Sequence, residues 1–272
     1  MEIGLTSVTF RKLDYETILD YCVKSGLSCI EWGSDVHVPE QDVSKVQQVK
    51  EASDRADIRI CSYGSYYRLC EHENYQDVFV QYLKAAVLLK APIIRLWAGK
   101  LGVDEASKEY YEQAVREAQG LCDMAAKHGI TLAFEFHRGT LSDTAEHAIK
   151  LYKDIDRKNL GLYFQYDSQI SIEENISALE KMLPYVTMVH VAYHVIGYGQ
   201  MSLEEGEGVR LWTRLVRILK KNHVKCELLF EFLKDSTLEG LMREADIMRH
   251  IVCGEFPICR SVEEKDMGGL IC

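Results

Sequence analysis

Short apolar segments in the second half of the chain each carry a polar side chain that could bind a metal ion or move a proton. In Thr131–His137, strand alternation places three apolar side chains on one face and Glu135 and His137 on the other. We expect the apolar face to pack against helices and the polar face to line the interior of a barrel. Glu135 and His137 then lie near the carboxyl end of the strand, where barrel enzymes carry out their chemistry.

The same alternation predicts inward side chains in three later segments. These side chains are Gln165 and Asp167, His190 and His194, and Glu231. In the last segment, Glu227–Phe232, we expect Leu228, Phe230 and Phe232 to face outward. Four consecutive strands thus each bring one possible metal ligand to a common rim.

Glu135, Gln165, His190 and Glu231 are together interpreted as a metal site. Unpaired carboxylates are expensive to bury, and a divalent cation beside an imidazole offsets that cost. Oxygen-rich ligands with one imidazole favour manganese or magnesium, with cobalt, iron and zinc as alternatives. The competing interpretation pairs the two glutamates with inward cations such as Arg95 and makes His190 a hydrogen-bonded core residue.

The elements that position these residues follow from the apolar pattern. Segments of helical period separate eight short apolar runs, near residues 2–9, 28–33, 58–64, 92–97, 130–137, 160–166, 186–193 and 226–232. Eight strand–helix units predict one (β/α)8 TIM barrel over residues 1–272 rather than an open doubly wound sheet, and the chain has no GxGxxG or GxxxxGK motif. The tail from about residue 255 is poorly patterned.

Composition excludes several classes of partner. The net charge of −10 disfavours nucleic acid, because a phosphate backbone would be repelled. No long apolar run and no hydrophobic leader are present, which predicts a cytoplasmic protein without membrane contact. The nine cysteines are odd in number and contain no Cys-x-x-Cys pair, so we expect reduced thiols.

At these segments the sequence resembles the sugar phosphate isomerase/epimerase family of xylose isomerase-like TIM barrels. That family includes tagatose and psicose 3-epimerases, inosose dehydratases and hydroxypyruvate isomerases. The resemblance spans nearly the whole chain and rests on Gly26–Trp32 with Asp35–His37, Phe134–His137, Gly161–Gln165, Val189–Val191 and Phe230–Phe232.

The resemblance implies one divalent metal ion held by Glu, Asp, His and Glu from the last four strands. These positions fall on Glu135, Gln165, His190 and Glu231, and Gln165 departs from the pattern. A neutral amide leaves two carboxylates in the set instead of three. We therefore expect weaker metal retention and stronger Lewis acidity than in a relative with Asp.

The implied activity is isomerisation or epimerisation of a sugar or sugar derivative. Glu135 and Glu231 would exchange a proton beside a carbonyl through a metal-stabilised enediolate. A lyase or dehydratase acting on a keto sugar or keto-inositol would use the same site. Two weaker alternatives are an apurinic endonuclease, which needs a basic groove and further histidines, and a non-catalytic sugar-binding barrel.

Further residues are candidates for contact with a small-molecule substrate. They are Trp32, His37, Tyr63, Trp97, His137, His194 and Arg210, with Arg68 and Arg138 as additional anion contacts. For each of them, packing or a solvated surface position is the competing interpretation. Barrels of this family often associate, which implies a dimer or tetramer.

Overall fold

The computed structural model describes residues 1–255, so the tail beyond residue 255 lies outside the described residues. The strands are β1 (Ile3–Thr6), β2 (Cys29–Gly33), β3 (Arg59–Arg68), β4 (Ile93–Trp97), β5 (Thr131–Glu135), β6 (Leu160–Gln165), β7 (Val186–Val191), β8 (His194–Val195), β9 (Gly199–Gln200) and β10 (Glu227–Phe230). The α-helices are α1 (Tyr15–Lys24), α2 (Val43–Arg55), α3 (Tyr75–Leu89), α4 (Lys108–Ala126), α5 (Ala145–Ile155), α6 (Ile172–Met182), α7 (Gly208–Lys221) and α8 (Leu238–Cys253). A short 3-10 helix (Ser7–Phe10) follows β1.

Eight strands close into a parallel barrel in the order β1-β10-β7-β6-β5-β4-β3-β2. The closure confirms the predicted (β/α)8 barrel, with one helix after each barrel strand. The remaining strands, β8 and β9, form an antiparallel hairpin between β7 and α7. This hairpin therefore lies at the end of the barrel where the strands finish.

Side-chain caps fix where most helices begin, and so fix the loops that follow the strands. Asp14, Asp42, Ser107, Thr144, Ser171 and Thr237 each accept a hydrogen bond from a backbone N–H in the first turn of their helix. Between Ser171 and Glu174 the capping is reciprocal. The strand-to-helix loops are thereby held at the carboxyl end of the barrel.

The barrel interior has an apolar layer below the polar one. Cys29, Cys61, Ala133, Tyr163, Met188 and Leu229 are buried together inside the barrel. At the opposite end from the loops, Arg59 donates to Glu2 at 2.5 Å and to Glu227 at 2.6 Å. The polar side chains above this layer are therefore supported from below by packed side chains.

Two further expectations concern thiols and membranes. The seven cysteines within residues 1–255 are free. Among the described helices, none has both the length and the apolar content that a membrane span requires.

Candidate metal centre

Three of the four predicted ligands converge at the carboxyl end of the barrel. Glu135 ends β5, His190 lies in β7, and Glu231 directly follows β10. One potential ligand atom from each lies within 4.8 Å of those of the other two, and all three side chains are buried. Strand alternation thus brings together residues that are 96 positions apart at the extremes (135 to 231).

Gln165 joins the cluster from the end of β6. Its Oε1 atom lies 3.4 Å from His190 Nδ1. The same Nδ1 atom lies 3.4 Å from Glu231 Oε2 and 4.0 Å from Glu135 Oε1. One imidazole nitrogen therefore faces three oxygens from three other segments, a donor set suited to a hard or borderline divalent cation.

The competing ion pair with Arg95 is present as well. Arg95 Nη1 donates to Glu135 Oε2, and Trp97 Nε1 donates to the same oxygen at 2.6 Å. Both donors use Oε2, so Glu135 Oε1 is left facing His190. The pairing with Arg95 and a role for Glu135 as a metal ligand therefore involve different oxygens.

Glu31, at the same level in β2, completes the buried charges. Its Oε1 accepts from Arg95 Nε at 3.1 Å, and its Oε2 accepts from Ser62 Oγ at 2.6 Å and from the Tyr163 hydroxyl at 2.8 Å. Strand alternation predicts that Glu31 faces inward. Neither Glu31 nor Tyr163 is among the site residues predicted from the sequence. The bonds join four strands around one carboxylate.

The electrostatic balance of this cluster favours an added cation. Burial by itself would lower the pKa of His190, but Glu231 and then Glu31 raise it to about 10. Burial opposes ionisation of Glu31, yet Arg95 and His190 hold its pKa at about 2. Burial likewise opposes the lowering of the Glu231 pKa by His190. Three carboxylates with one guanidinium thus draw a proton onto His190, the position at which a metal ion would replace it.

A cavity of about 320 Å³ opens beside the cluster, and Gln165 and Glu231 contribute to its wall. His137 and His194 also line it, as does Arg138, which pairs with Asp167 at 2.6 Å. The two predicted histidines and Asp167 are therefore placed at the mouth of the candidate centre. His194 is held there by a contact of 3.1 Å between its Nδ1 and Ser168 Oγ.

Trp97 connects this wall to the buried charges. Its ring stacks on His137 with 4.7 Å between the centroids, and its N–H donates to Glu135. The Arg68 guanidinium carbon lies 3.5 Å from the centre of the Trp97 ring on β4. Trp97 thus lies between Glu135 and His137, and its contact with substrate stays a prediction.

The side chains of Trp32 and Tyr63 point away from the barrel interior. They are register partners on β2 and β3, and both are fully buried. Trp32 Nε1 donates to Ser53 of α2, and the Tyr63 hydroxyl donates to the carbonyl of Val38. Because Glu31 faces inward, its neighbour Trp32 must face outward, so the geometry assigns both rings to packing.

His37 and Arg210 also lie away from the cavity wall. His37 is buried, with Nδ1 3.1 Å from Ser7 Oγ and Nε2 3.1 Å from the carbonyl of Leu13. Burial lowers its pKa, consistent with a neutral packed ring. Arg210 lies on α7 and pairs with Glu207 at 2.9 Å. These contacts agree with the alternative interpretation, in which His37 is a packing residue and Arg210 is a surface residue.

Phe232 departs from the expected alternation. Its φ is +55°, its side chain is 44% exposed, and it lines the cavity instead of packing against the helices. Its N–H donates to Thr9 Oγ1 at 3.3 Å. The prediction that Phe232 faces outward is wrong, because a left-handed residue interrupts the strand geometry directly after Glu231.

The family profile of the xylose isomerase-like TIM barrels matches residues 19–250. The chain belongs to this family. The match covers most of the chain and includes all four residues of the candidate centre.

Three proteins similar to this chain have known names or structures. A 3-dehydroshikimate dehydratase from Bacillus anthracis is 20% identical over 203 residues, covering 70% of this chain and 71% of that protein. The D-psicose 3-epimerase of Clostridium cellulolyticum H10, solved with D-tagatose, is 16% identical with a TM-score of 0.72 over 93% of this chain and 99% of its own. The IolI protein, solved with a zinc atom, is 17% identical with a TM-score of 0.75 over 95% of this chain and 100% of its own. At these identities the two structures establish a shared fold.

Proposed function

We propose that this protein is a divalent-metal-dependent isomerase or epimerase that moves a proton beside a carbonyl of a sugar or sugar derivative. The observation that carries the proposal is the convergence of Glu135, Gln165, His190 and Glu231 beside a cavity whose wall includes Gln165 and Glu231. The donor set fits a divalent ion, because His190 Nδ1 faces oxygens of Gln165, Glu231 and Glu135. When bound, such an ion supplies the positive charge that stabilises negative charge developing on the substrate oxygen.

The two glutamates have different surroundings, which divides their roles. Glu135 Oε2 is held by Arg95 and Trp97, whereas Glu231 lines the cavity directly. We assign removal of the substrate proton to Glu231, because it meets the space where substrate would lie. Glu135, fixed in place by two donors, would return a proton on the other face of the carbon.

A dehydratase is the second candidate. The specific observation that favours it is the 20% identity to a 3-dehydroshikimate dehydratase over 70% of this chain. Elimination of water also begins with loss of a proton beside a carbonyl, so the same glutamates would serve. The two reactions differ in product mass, because epimerisation conserves mass and dehydration removes one water.

Arg95 argues against the endonuclease alternative. Its guanidinium lies between Glu31 and Glu135, on the β4 strand from which a further metal ligand would have to come. A fixed positive charge at this place repels a second metal ion. The net charge of −10 also disfavours a nucleic acid substrate.

The test combines metal analysis with isotope exchange. We expect about one divalent ion per chain in the protein purified with manganese, and deuterium entering beside the carbonyl of at least one member of a panel of keto sugars in D₂O. Glu135→Gln and Glu231→Gln should each lower exchange by at least about 100-fold. Glu227→Gln, an inward glutamate at the opposite end of the barrel, is the matched control. Full turnover in either of the first two variants would contradict the two-glutamate mechanism, and a non-catalytic barrel would show no exchange at all.

Several narrower expectations accompany this proposal. Manganese is the ion we would load first, since the donors are oxygen-rich with a single imidazole. Zinc retention would also agree with the donor set. The cytoplasmic location and association into a dimer or tetramer stay predictions, to be checked by fractionation and by sedimentation.

A further inference from the structure

The two ring nitrogens of His190 face different groups. Nδ1 faces Gln165, Glu231 and Glu135, while Nε2 lies 3.6 Å from Glu31 Oε1. The ring is fully buried, and Nε2 has no hydrogen-bond partner among the described residues. A buried N–H without an acceptor is destabilising, so the acceptor nearest to Nε2 matters.

Hydrogen bonds fix the carboxylate of Glu31 beside His190 Nε2. Ser62 and Tyr163 donate to its Oε2, which orients the carboxylate and leaves Oε1 on the side of His190. Oε1 also accepts from Arg95 Nε, and a carboxylate oxygen has capacity for a second donor. The Tyr163 ring meets the His190 ring edge to face at 5.0 Å, so the imidazole is also confined from the side.

We infer that Glu31 is a positioning residue that accepts the Nε2–H of His190 and thereby directs Nδ1 toward the metal ligands. An imidazole that ligates through one nitrogen carries its proton on the other, and a carboxylate at that second nitrogen fixes the ring and makes it a stronger donor. This inference rests on the proposed function, because it concerns how the same centre holds its ion.

Arg95 extends the effect of Glu31 to the other side of the centre. Its guanidinium bridges Glu31 Oε1 and Glu135 Oε2. Displacing Glu31 would therefore release His190 and also loosen Glu135, although neither residue is replaced. A role for Glu31 limited to neutralising Arg95 would leave the proton position on His190 unaffected, and this difference can be measured.

The experiment uses zinc as a diamagnetic probe on the full chain. We expect Glu31→Gln to bind Zn²⁺ about 10–100-fold more weakly than wild type. In nitrogen-15 spectra of the zinc-loaded wild type, His190 should show a metal-bound Nδ1 and a slowly exchanging Nε2–H, assigned by the loss of those signals in His190→Gln. In Glu31→Gln the Nε2–H should exchange rapidly. Glu227→Gln is the matched control, because it removes an inward carboxylate that lies at the far end of the barrel.

Tyr163→Phe provides a second variant in case Glu31→Gln does not fold. It keeps the ring against His190 but removes the donor to Glu31 Oε2, so we expect a several-fold loss of zinc affinity and faster exchange of Nε2–H. Unchanged zinc affinity and exchange in either folded variant would overturn the inference while leaving the proposed function intact. Ligation of zinc through Nε2 would also overturn it. A wild-type protein that takes up no zinc or manganese would overturn both.

Discussion

Gln165 is the residue that most distinguishes this centre from the pattern its family resemblance implies. Its amide oxygen lies 3.4 Å from His190 Nδ1, where an aspartate would add a third carboxylate to Glu135 and Glu231. The proximity makes Gln165 part of the cluster without adding charge. The net charge of the ligand set is therefore the property that a single substitution can vary.

We expect Gln165→Asp to bind Mn²⁺ at least about tenfold more tightly, because affinity for a hard cation rises with the number of charged ligands. Turnover should fall, since a less positive centre polarises a carbonyl less. Titration of the variant with Mn²⁺, followed by electron paramagnetic resonance, measures the affinity. Gln165→Asn separates charge from length, and loss of metal affinity in Gln165→Asp would contradict the charge interpretation.

His190 predicts how metal affinity depends on pH. Its pKa lies at about 10 in the metal-free protein, above the ordinary value of 6.5, because Glu231 and Glu31 outweigh burial. Below that pKa a metal ion must displace a proton, so affinity should rise by about tenfold per pH unit from 6 to 9. Without metal, the same shift stabilises the fold fully below pH 6.5, and this contribution is lost as the pH rises through 10. Calorimetry in buffers of different ionisation enthalpy should show one proton released per ion, and affinity that does not change with pH would contradict it.

At the scale of elements, strand alternation predicted most of the site and failed where a strand stops being regular. It placed Glu135, Gln165 and His190 inward because their strands alternate regularly over the last residues before the ligand, beyond the register shift between Leu162 and Tyr163 where β6 pairs with β7. Phe232 could not be predicted, because its left-handed backbone follows the end of β10 and its N–H is bonded to Thr9, a residue 223 positions away. Trp32 followed the parity rule outward, and only its resemblance to a family segment had suggested the pocket.

The left-handed conformation of Phe232 predicts an unusual response to substitution. A side chain with a β-carbon pays roughly 1–2 kcal/mol in this region, whereas glycine adopts it freely. We expect Phe232→Gly to be more stable than Phe232→Ala by roughly 1 kcal/mol in urea unfolding. Both variants should raise KM, because the exposed ring contributes to the cavity wall. A glycine variant less stable than the alanine variant would show that the backbone is not strained here.

At the scale of the whole molecule, the barrel is closed below the site and open above it. One end of the barrel holds the ion pairs of Arg59 with Glu2 and Glu227. An apolar layer fills the middle, and the charged cluster lies at the end with the loops. This layering follows from eight apolar runs in sequence, which is why the fold class could be predicted while individual loop contacts could not. Ligands from four different strands meet only when the whole barrel has closed.

Metal binding should therefore stabilise the entire fold. An ion at 100 times its dissociation constant adds about 2.7 kcal/mol to the free energy of unfolding if the unfolded chain does not bind it. We expect a higher Tm with Mn²⁺ than with a chelator in scanning calorimetry. His190→Gln should abolish the difference, and Glu227→Gln should preserve it. An equal increase in the His190 variant would place the ion elsewhere.

The contact between Trp97 and Glu135 gives the protein a built-in optical reporter. The chain has three tryptophans, and Trp32 and Trp212 are buried, with their N–H groups bonded to Ser53 and to the carbonyl of Ala192. Trp97 is bonded at 2.6 Å to a carboxylate of the candidate centre. Its fluorescence should change when an ion draws charge from that carboxylate, and Trp97→Phe should remove the signal. Stopped-flow fluorescence would then follow ion binding in real time and would need no substrate.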